Sequence, residues 1–329
     1  MKRLTRYLGM FLLLLAIHHG PARAWSGPGH AAIAAMAYQQ LPGDARQRLT
    51  EILRSHPDFA KWRQDFDRLK SGFPAKLDLG TYLFIRASTW PDEIRRSGNP
   101  FDHPNWHFVD YPVQQSDFST GPAPTAGDDI LFGIREAQRV IRDASATPAA
   151  RAAHLSWLIH LIGDLHQPLH CASLINTTTY RPPEGDRGGN EFFVSVPGNR
   201  NADNLHSFWD GQLGKSNAGN PPPPPNPKTA FNNAVQLQGE HPRDSLPALG
   251  TATDVEAWSK ESLAAAVGHA YQYEKKSHGA VVLTRLPGGP NDRAAPPLPA
   301  GYSTEAKTVS RERISLAGYR LADTLQALH

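Results

Sequence analysis

Residues 156–170 read SWLIHLIGDLHQPLH, and the architecture turns on this stretch. His160 and Asp164 are four residues apart in an otherwise apolar run, a spacing that puts both on one face of a helix. The run opens upstream at Thr147-Pro148, a capping residue followed by a first-turn proline, and it stops before Pro168. The pattern predicts a buried helix over 147–167, with His170 on the turn beyond it. An imidazole and a carboxylate buried in such a run need partners, because an unpaired polar group in an apolar setting is costly. Two arrangements meet that need, a mutual hydrogen bond or a shared cation, and the spacing admits both.

Working outward, helical signals dominate. Apolar periodicity predicts helices over 30–41, 127–144, 254–276 and 311–328. EFFVSV (191–196) lies between Gly188-Gly189 and Pro197-Gly198, so one small β-hairpin is expected there. The proline tracts at 221–227 and 286–301 read as loops, with helical signals on both sides. There is no internal repeat. The expected class is all-α, mainly helical with at most a small β-hairpin, in one catalytic domain over 25–329.

Residues 1–24 differ from the rest. Lys2, Arg3 and Arg6 precede the run GMFLLLLAI, and Ala22-Arg23-Ala24 closes it with a small-x-small site. This reads as a secretory signal peptide. Its apolar run is too short for a comfortable membrane span, and no later segment is long enough either. Cleavage after Ala24 would make Trp25 the first residue and send the protein to the periplasm or outside the cell. All four charges in the segment are positive, so the formal +3 of the whole chain becomes −1 without it. A protein that gripped nucleic acid by bulk electrostatics would be basic. Positive charge for a phosphate would have to come from bound metal. The lone cysteine, Cys171, excludes an intramolecular disulfide; packing is the expected role of its side chain.

More histidines and aspartates follow the pattern of 160 and 164. NLHSFWD holds His206 and Asp210, again four apart; STWPDEIR holds Asp92; NWHFVDYP holds His107; and His30 lies five residues after Trp25. Zinc takes imidazole nitrogen and carboxylate oxygen, and His-x-x-x-Asp on a helix aims two such donors at one ion. The spacing therefore points to a metal site and goes no further.

Taken together and in order, WSGPGH, STWPDEIR, WHFVDYP, LIHLIGDLHQPLHCA, GDRGGNEFFV, NLHSFWD and LAGYRLADTL resemble the zinc-dependent single-strand nucleases of the S-one/P-one type, which share a fold with bacterial zinc phospholipases C. The resemblance implies three zinc ions. Asp92, His107, His160 and Asp164 would hold one; His170, His206 and Asp210 a second; and His30, Asp164 and Trp25, through its free amine and carbonyl, the third. Three divalent ions against three aspartates leave the cluster positive. The implied chemistry is metal-assisted hydrolysis of single-stranded DNA and RNA to 5′-phosphorylated products, with 3′-nucleotidase activity left open. Asp92 and Arg95 would serve the catalytic centre, Arg95 by supporting charge on phosphate oxygens. Phe108 would stack on a base, and Asp110 would accept hydrogen bonds from its edge, with Asn190 lining the same pocket. Stacking needs an unstacked base and tolerates any sequence, which favours single strands. His103, His154 and His166 match no ligand position. No protein partner is implied, and a monomer is expected.

Two other readings compete. A phospholipase C acting on phospholipid headgroups has the same fold, but by resemblance it spaces its first histidine further from the N-terminal tryptophan and carries a glutamate where Asp210 stands. A non-catalytic periplasmic zinc-binding protein would fill every coordination position, and it would have little use for Arg95 and Phe108.

Overall fold

The computed structural model describes residues 25–122, 127–215, 223–277 and 280–328. The signal-peptide reading of 1–24 lies outside the described residues. Eleven α-helices are named in chain order: α1 Gly27–Gln40, α2 Gly43–Leu53, α3 Phe59–Leu69, α4 Leu79–Ile94, α5 Ile130–Arg142, α6 Pro148–Leu165, α7 Leu205–Asp210, α8 Pro227–Glu240, α9 Ala248–Thr251, α10 Val255–Ala265 and α11 Tyr302–Gln326. Among the described residues the strands form three two-stranded sheets. β1 (Pro112–Gln114) pairs in parallel with β2 (Ser173–Ile175). β3 (Phe193–Val194) pairs antiparallel with β4 (Asp203–Asn204), and β5 (Gln272–Ser277) with β6 (Ala280–Arg285). The mainly helical class holds.

α6 is the central helix, and its local sequence explains its limits. Thr147 caps it through Oγ1, which accepts from Ala150 N at 3.2 Å, and Pro148 supplies the fixed φ of a first turn. His166 ends it, and Pro168 opens a short 3-10 turn, Pro168–Cys171. From Ala152 to Leu165 every residue except His154 is buried, because α4 and α5 cover its flanks. A helix enclosed in this way shows no single polar face.

α1 lies across α4, α8 and α11. Its run of alanines, fully buried from Ala31 to Ala37, lets these helix axes approach closely. Gly163 of α6 makes the approach that matters most for the site. A Cβ there would lie 2.7 Å from His30 Nδ1, so the glycine clears the space that the His30 ring enters. α4 is capped by Asp78, whose Oδ1 accepts from Thr81 N at 2.8 Å. It runs through Pro91, which has no N–H for the Ala87 carbonyl, and ends three residues later at Ile94.

Among the expected helices, 254–276 is corrected. α10 ends at Ala265 and passes through one π-turn at Ala266–Ala270. The chain then enters β5, which pairs with the β-branched run of β6. The helix expected at 311–328 starts earlier, at Tyr302. The strand expected at 191–196 shortens to β3, and its partner is β4. No described helix is long and apolar enough to cross a membrane.

Candidate metal centre

Asp164, near the end of α6, is the hub. Its carboxylate is sealed from solvent and meets three imidazoles: His30 Nε2 at 3.0 Å, His107 Nδ1 at 2.9 Å and His160 Nε2 at 3.1 Å. His30 comes from the first turn of α1, and its ring stacks on that of His160, with centroids 4.1 Å apart. His107 comes from the segment before β1. Asp92, in the last turn of α4, brings Oδ1 to 3.9 Å from His160 Nε2. That oxygen is buried and has no hydrogen-bond donor among the described residues.

A second group lies beside the first. His206 and Asp210 are both on α7, one turn apart, with Nε2 3.6 Å from Oδ2. His170, on the 3-10 turn after α6, places its Nε2 3.0 Å from His206 Nε2. Three sets of donor atoms result, the first two sharing His160: His30, Asp92 and His160; His107, His160 and Asp164; His170, His206 and Asp210. Within each set the donor atoms lie within 4.8 Å of one another.

The donor chemistry fits cations. His160 Nδ1 donates to the Ser88 carbonyl at 2.7 Å, His170 Nδ1 to the His107 carbonyl at 2.5 Å and His206 Nδ1 to the Gly188 carbonyl at 2.7 Å. A carbonyl can only accept, so each of these rings has a proton on Nδ1; on His170 and His206 that leaves the lone pair on Nε2, while His160 would offer Nε2 to a cation in place of the proton it shares with Asp164. His170 and His206 therefore point two lone pairs at each other across 3.0 Å. That contact repels unless a proton or a metal ion takes up the lone pairs. Two ligand atoms at ~2.0–2.1 Å from one tetrahedral zinc lie about 3.3 Å apart, close to the separations seen here. Fixing the outer nitrogen on a carbonyl is also the usual way a ligating imidazole is oriented.

The electrostatics show how compressed these groups are. Burial pushes His30 and His170 below the usual histidine range and takes His107 down to about 4. Burial would lower His160 too, but the charges of Asp164 and Asp92 outweigh it and hold that ring up at about 9. Asp164 falls well below the carboxylate range; burial opposes this, and the His160 charge with the three histidine bonds overcomes it. Burial drives Asp210 well above that range, against its bond from Gln167. Multivalent cations would resolve both tensions, replacing the shared protons at Asp164 and neutralising Asp210.

The other expected residues take up defined places. Trp25 is fully buried at the entrance to α1, folded against Gly29; a Cβ on Gly29 would lie 2.7 Å from its Cβ. The next residue, Ser26, donates its N–H to the Asp210 carbonyl at 3.0 Å, which ties the start of the described chain to α7. Arg95 follows α4. Burial lowers its pKa, and the charges of Asp92 and Asp164 act most strongly against that. Phe108 and Asp110 flank Val109, whose N–H donates to the His170 carbonyl at 2.8 Å. Phe108 is half-buried, and burial raises Asp110 to about 7. Asn190 sits on the 185–190 loop and donates to the Arg187 carbonyl at 2.7 Å. Gly185, Arg187, Gly188 and Gly189 all have positive φ in this loop. Gly188 (φ +62) has room for no side chain, since a Cβ would run into the Leu169 carbonyl, and its own carbonyl is the one that holds His206. Phe108, Asp110 and Asn190 thus belong to segments anchored to His170 and His206.

The three histidines read as bystanders are engaged elsewhere. His103 stacks on Trp106, His154 bonds the Ala150 carbonyl, and His166 accepts from Arg320 Nη1 at 2.9 Å. Cys171 is buried, with its thiol near the Leu165 carbonyl. Two residues of consequence escaped the sequence reading. Gln167 donates to Asp210 Oδ1 at 2.7 Å. Asp186, fully buried, accepts from Leu174 N at 2.8 Å and from Tyr271 Oη at 3.0 Å. Only the placement of Gln167 between Asp164 and His170 could have drawn attention to it.

Fold and site together define a mainly helical protein with a buried, histidine- and aspartate-lined centre whose donors could hold a metal ion. The family model described as S1/P1 Nuclease matches residues 25–329, and the chain belongs to that family. It is similar to "Nuclease P1" of Penicillium citrinum, with 28% identity over 190 residues, 56% of this chain and 57% of that protein. It is also similar to "Nuclease S1" of Aspergillus oryzae, with 26% identity over 146 residues, 43% of this chain and 46% of that protein. "Endonuclease 5" of Arabidopsis thaliana is 26% identical over 141 residues, 38% of this chain and 42% of that protein. The matched stretches span little more than half of these relatives at most.

Proposed function

We propose that this protein is a zinc-dependent phosphodiesterase, periplasmic or secreted, that cuts single-stranded DNA and RNA to 5′-phosphorylated products. The observation that carries the reading is the meeting of three His/Asp donor sets around Asp164 and His170, directly beside Phe108 and Asp110. Three zinc ions, when bound, would supply Lewis acidity to the phosphate and ease deprotonation of the attacking water. Asp92, His107, His160 and Asp164 would hold one; His170, His206 and Asp210 another; and Trp25, His30 and Asp164 the third.

The protein's own groups do the rest. Carbonyls of Ser88, His107 and Gly188 hold three imidazoles by their Nδ1 protons, which turns Nε2 of each ring toward the cluster, where it would ligate a cation. Arg95 brings a positive charge that interacts with those of Asp92 and Asp164, and it would support charge on non-bridging phosphate oxygens. Phe108 offers a stacking face, and Asp110 presents a carboxyl to the edge of the stacked base. A base inside a duplex offers neither its face nor its full edge, so single strands are preferred. Membership of a nuclease family and the stacking residue favour this reading over the phospholipase one.

The test is direct. Purified protein is incubated with single-stranded DNA, duplex DNA and phosphatidylcholine, each with and without EDTA. Rapid, EDTA-sensitive loss of the single strand with 5′-phosphorylated ends is expected. Cleavage of the lipid alone would move the protein to the phospholipase branch, and full nuclease activity in a metal-free sample would overturn the mechanism.

A further inference from the structure

Gln167 stands between two proposed ligands, Asp164 and His170, and is fully buried. All four of its polar groups are committed. Its backbone N–H donates to the Asp164 carbonyl at 2.9 Å, and its carbonyl accepts from His170 N at 3.1 Å. Its side-chain oxygen accepts from Leu169 N at 2.5 Å, and its side-chain nitrogen donates to Asp210 Oδ1 at 2.7 Å. The backbone N–H of Leu169 can only donate, so the amide has one orientation that satisfies both bonds. One residue thereby joins the end of α6, the 3-10 turn and α7, the three segments that carry Asp164, His170 and Asp210.

The bond to Asp210 has a specific consequence. With Oδ1 occupied by the amide, the other oxygen, Oδ2, is left on the side of His206, 3.6 Å from Nε2. The Asp210 main chain is held independently, through its carbonyl, by Ser26 N. Only the rotation of the carboxylate remains to be set, and Gln167 sets it. We infer that Gln167 is a positioning residue of the centre, which makes Asp210 a one-oxygen donor, through Oδ2, to the cation shared with His170 and His206. Glutamine suits this task better than its isosteres. A glutamate would set an acceptor against an acceptor, and a methionine would fill the volume but release Asp210.

This inference rests on reading the cluster as a metal centre, and the experiment separates the two. The full-length protein, Gln167→Met and Gln167→Glu are loaded with zinc, and ions are withdrawn with a competing chelator while zinc content is followed. The same proteins are loaded with cobalt(II) for their absorption spectra, and the metal-free forms are melted. In both variants one ion is expected to be held about 10- to 100-fold more weakly, the usual effect of losing such an outer partner. The cobalt band of that site should change while the remaining ions keep their native affinity. Native zinc affinity and spectra in both variants would overturn the role of Gln167 and leave the centre standing. Uniform weakening of every ion, together with a lower melting temperature of the metal-free form, would show a general structural role and also overturn it. A native protein that binds no zinc would remove the metal-centre reading, and the role of Gln167 with it.

Discussion

Asp186→Asn is expected to stabilise the protein at neutral pH and to do so less and less as the pH falls. Asp186 lies on the loop that carries Gly188 and Asn190. Burial, reinforced by the nearby charge of Asp110, raises its carboxyl to about 7, against the bonds that Oδ1 accepts from Leu174 N and Tyr271 Oη. One of its oxygens, Oδ2, is buried without a hydrogen-bond partner. In the unfolded chain the same carboxyl titrates near its usual value of about 3.9. Below that value it is neutral in both states and its contribution to stability is fully present. Between about 4 and 7 the unfolded state ionises while the folded state does not, so stability is lost as pH rises through this window, and the loss is complete above about 7. At roughly 1.36 kcal/mol per pH unit this amounts to about 4 kcal/mol. Asparagine keeps an oxygen for Leu174 N and Tyr271 Oη, places an amide where Oδ2 was, and never ionises. The stability difference between variant and native protein should therefore grow with pH, by about 2–4 kcal/mol between pH 4 and pH 7.5, and then level off. Asp186 bonds none of the histidines or aspartates of the cluster, so metal-linked pH effects are common to both proteins and cancel. Guanidinium unfolding at a series of pH values measures the difference. Two parallel stability–pH curves would refute the argument, because they would mean that Asp186 ionises alike in both states.

Three further outcomes follow from the site. Phe108→Ala should raise KM for single-stranded substrate by the equivalent of ~1–3 kcal/mol while zinc content stays native; zinc analysis beside steady-state kinetics checks this, and loss of zinc would mark Phe108 as structural. Asp164→Ala should remove the carboxylate that three imidazoles face, so zinc should fall by more than one ion per chain and activity should be lost with it; metal analysis showing a native zinc content would contradict the hub role. Gly188→Ala should destabilise the fold by at least ~1–2 kcal/mol for the left-handed backbone alone, with a further loss from the clash with Leu169, and should weaken zinc binding by displacing the carbonyl that holds His206. Unfolding curves and zinc affinity that both match the native protein would show that the loop tolerates a side chain.

The sequence by itself carried the central helix and the two His-x-x-x-Asp pairs, because both are local. A capping threonine, a first-turn proline and a terminating proline delimit α6 whatever packs against it, and four-residue spacing puts donors on one helix face without help from the rest of the chain. Helix α4 was not among the expected helices; it continues to Ile94 although Pro91 gives up the bond to the Ala87 carbonyl, because the buried turns before it are held by the core. Residues 272–277, rich in Glu and Lys, suited a helix locally; pairing with the β-branched run 280–285 overrode that preference. What only the tertiary structure decided is which donors meet. His30 and Asp164 come together because Gly163 lets α1 approach α6, and His170 faces His206 because a left-handed loop delivers the Gly188 carbonyl. Gln167 selects one oxygen of Asp210 from 43 residues away. Contacts of that kind depend on the mutual placement of whole helices, a property of the packed core that no local spacing encodes.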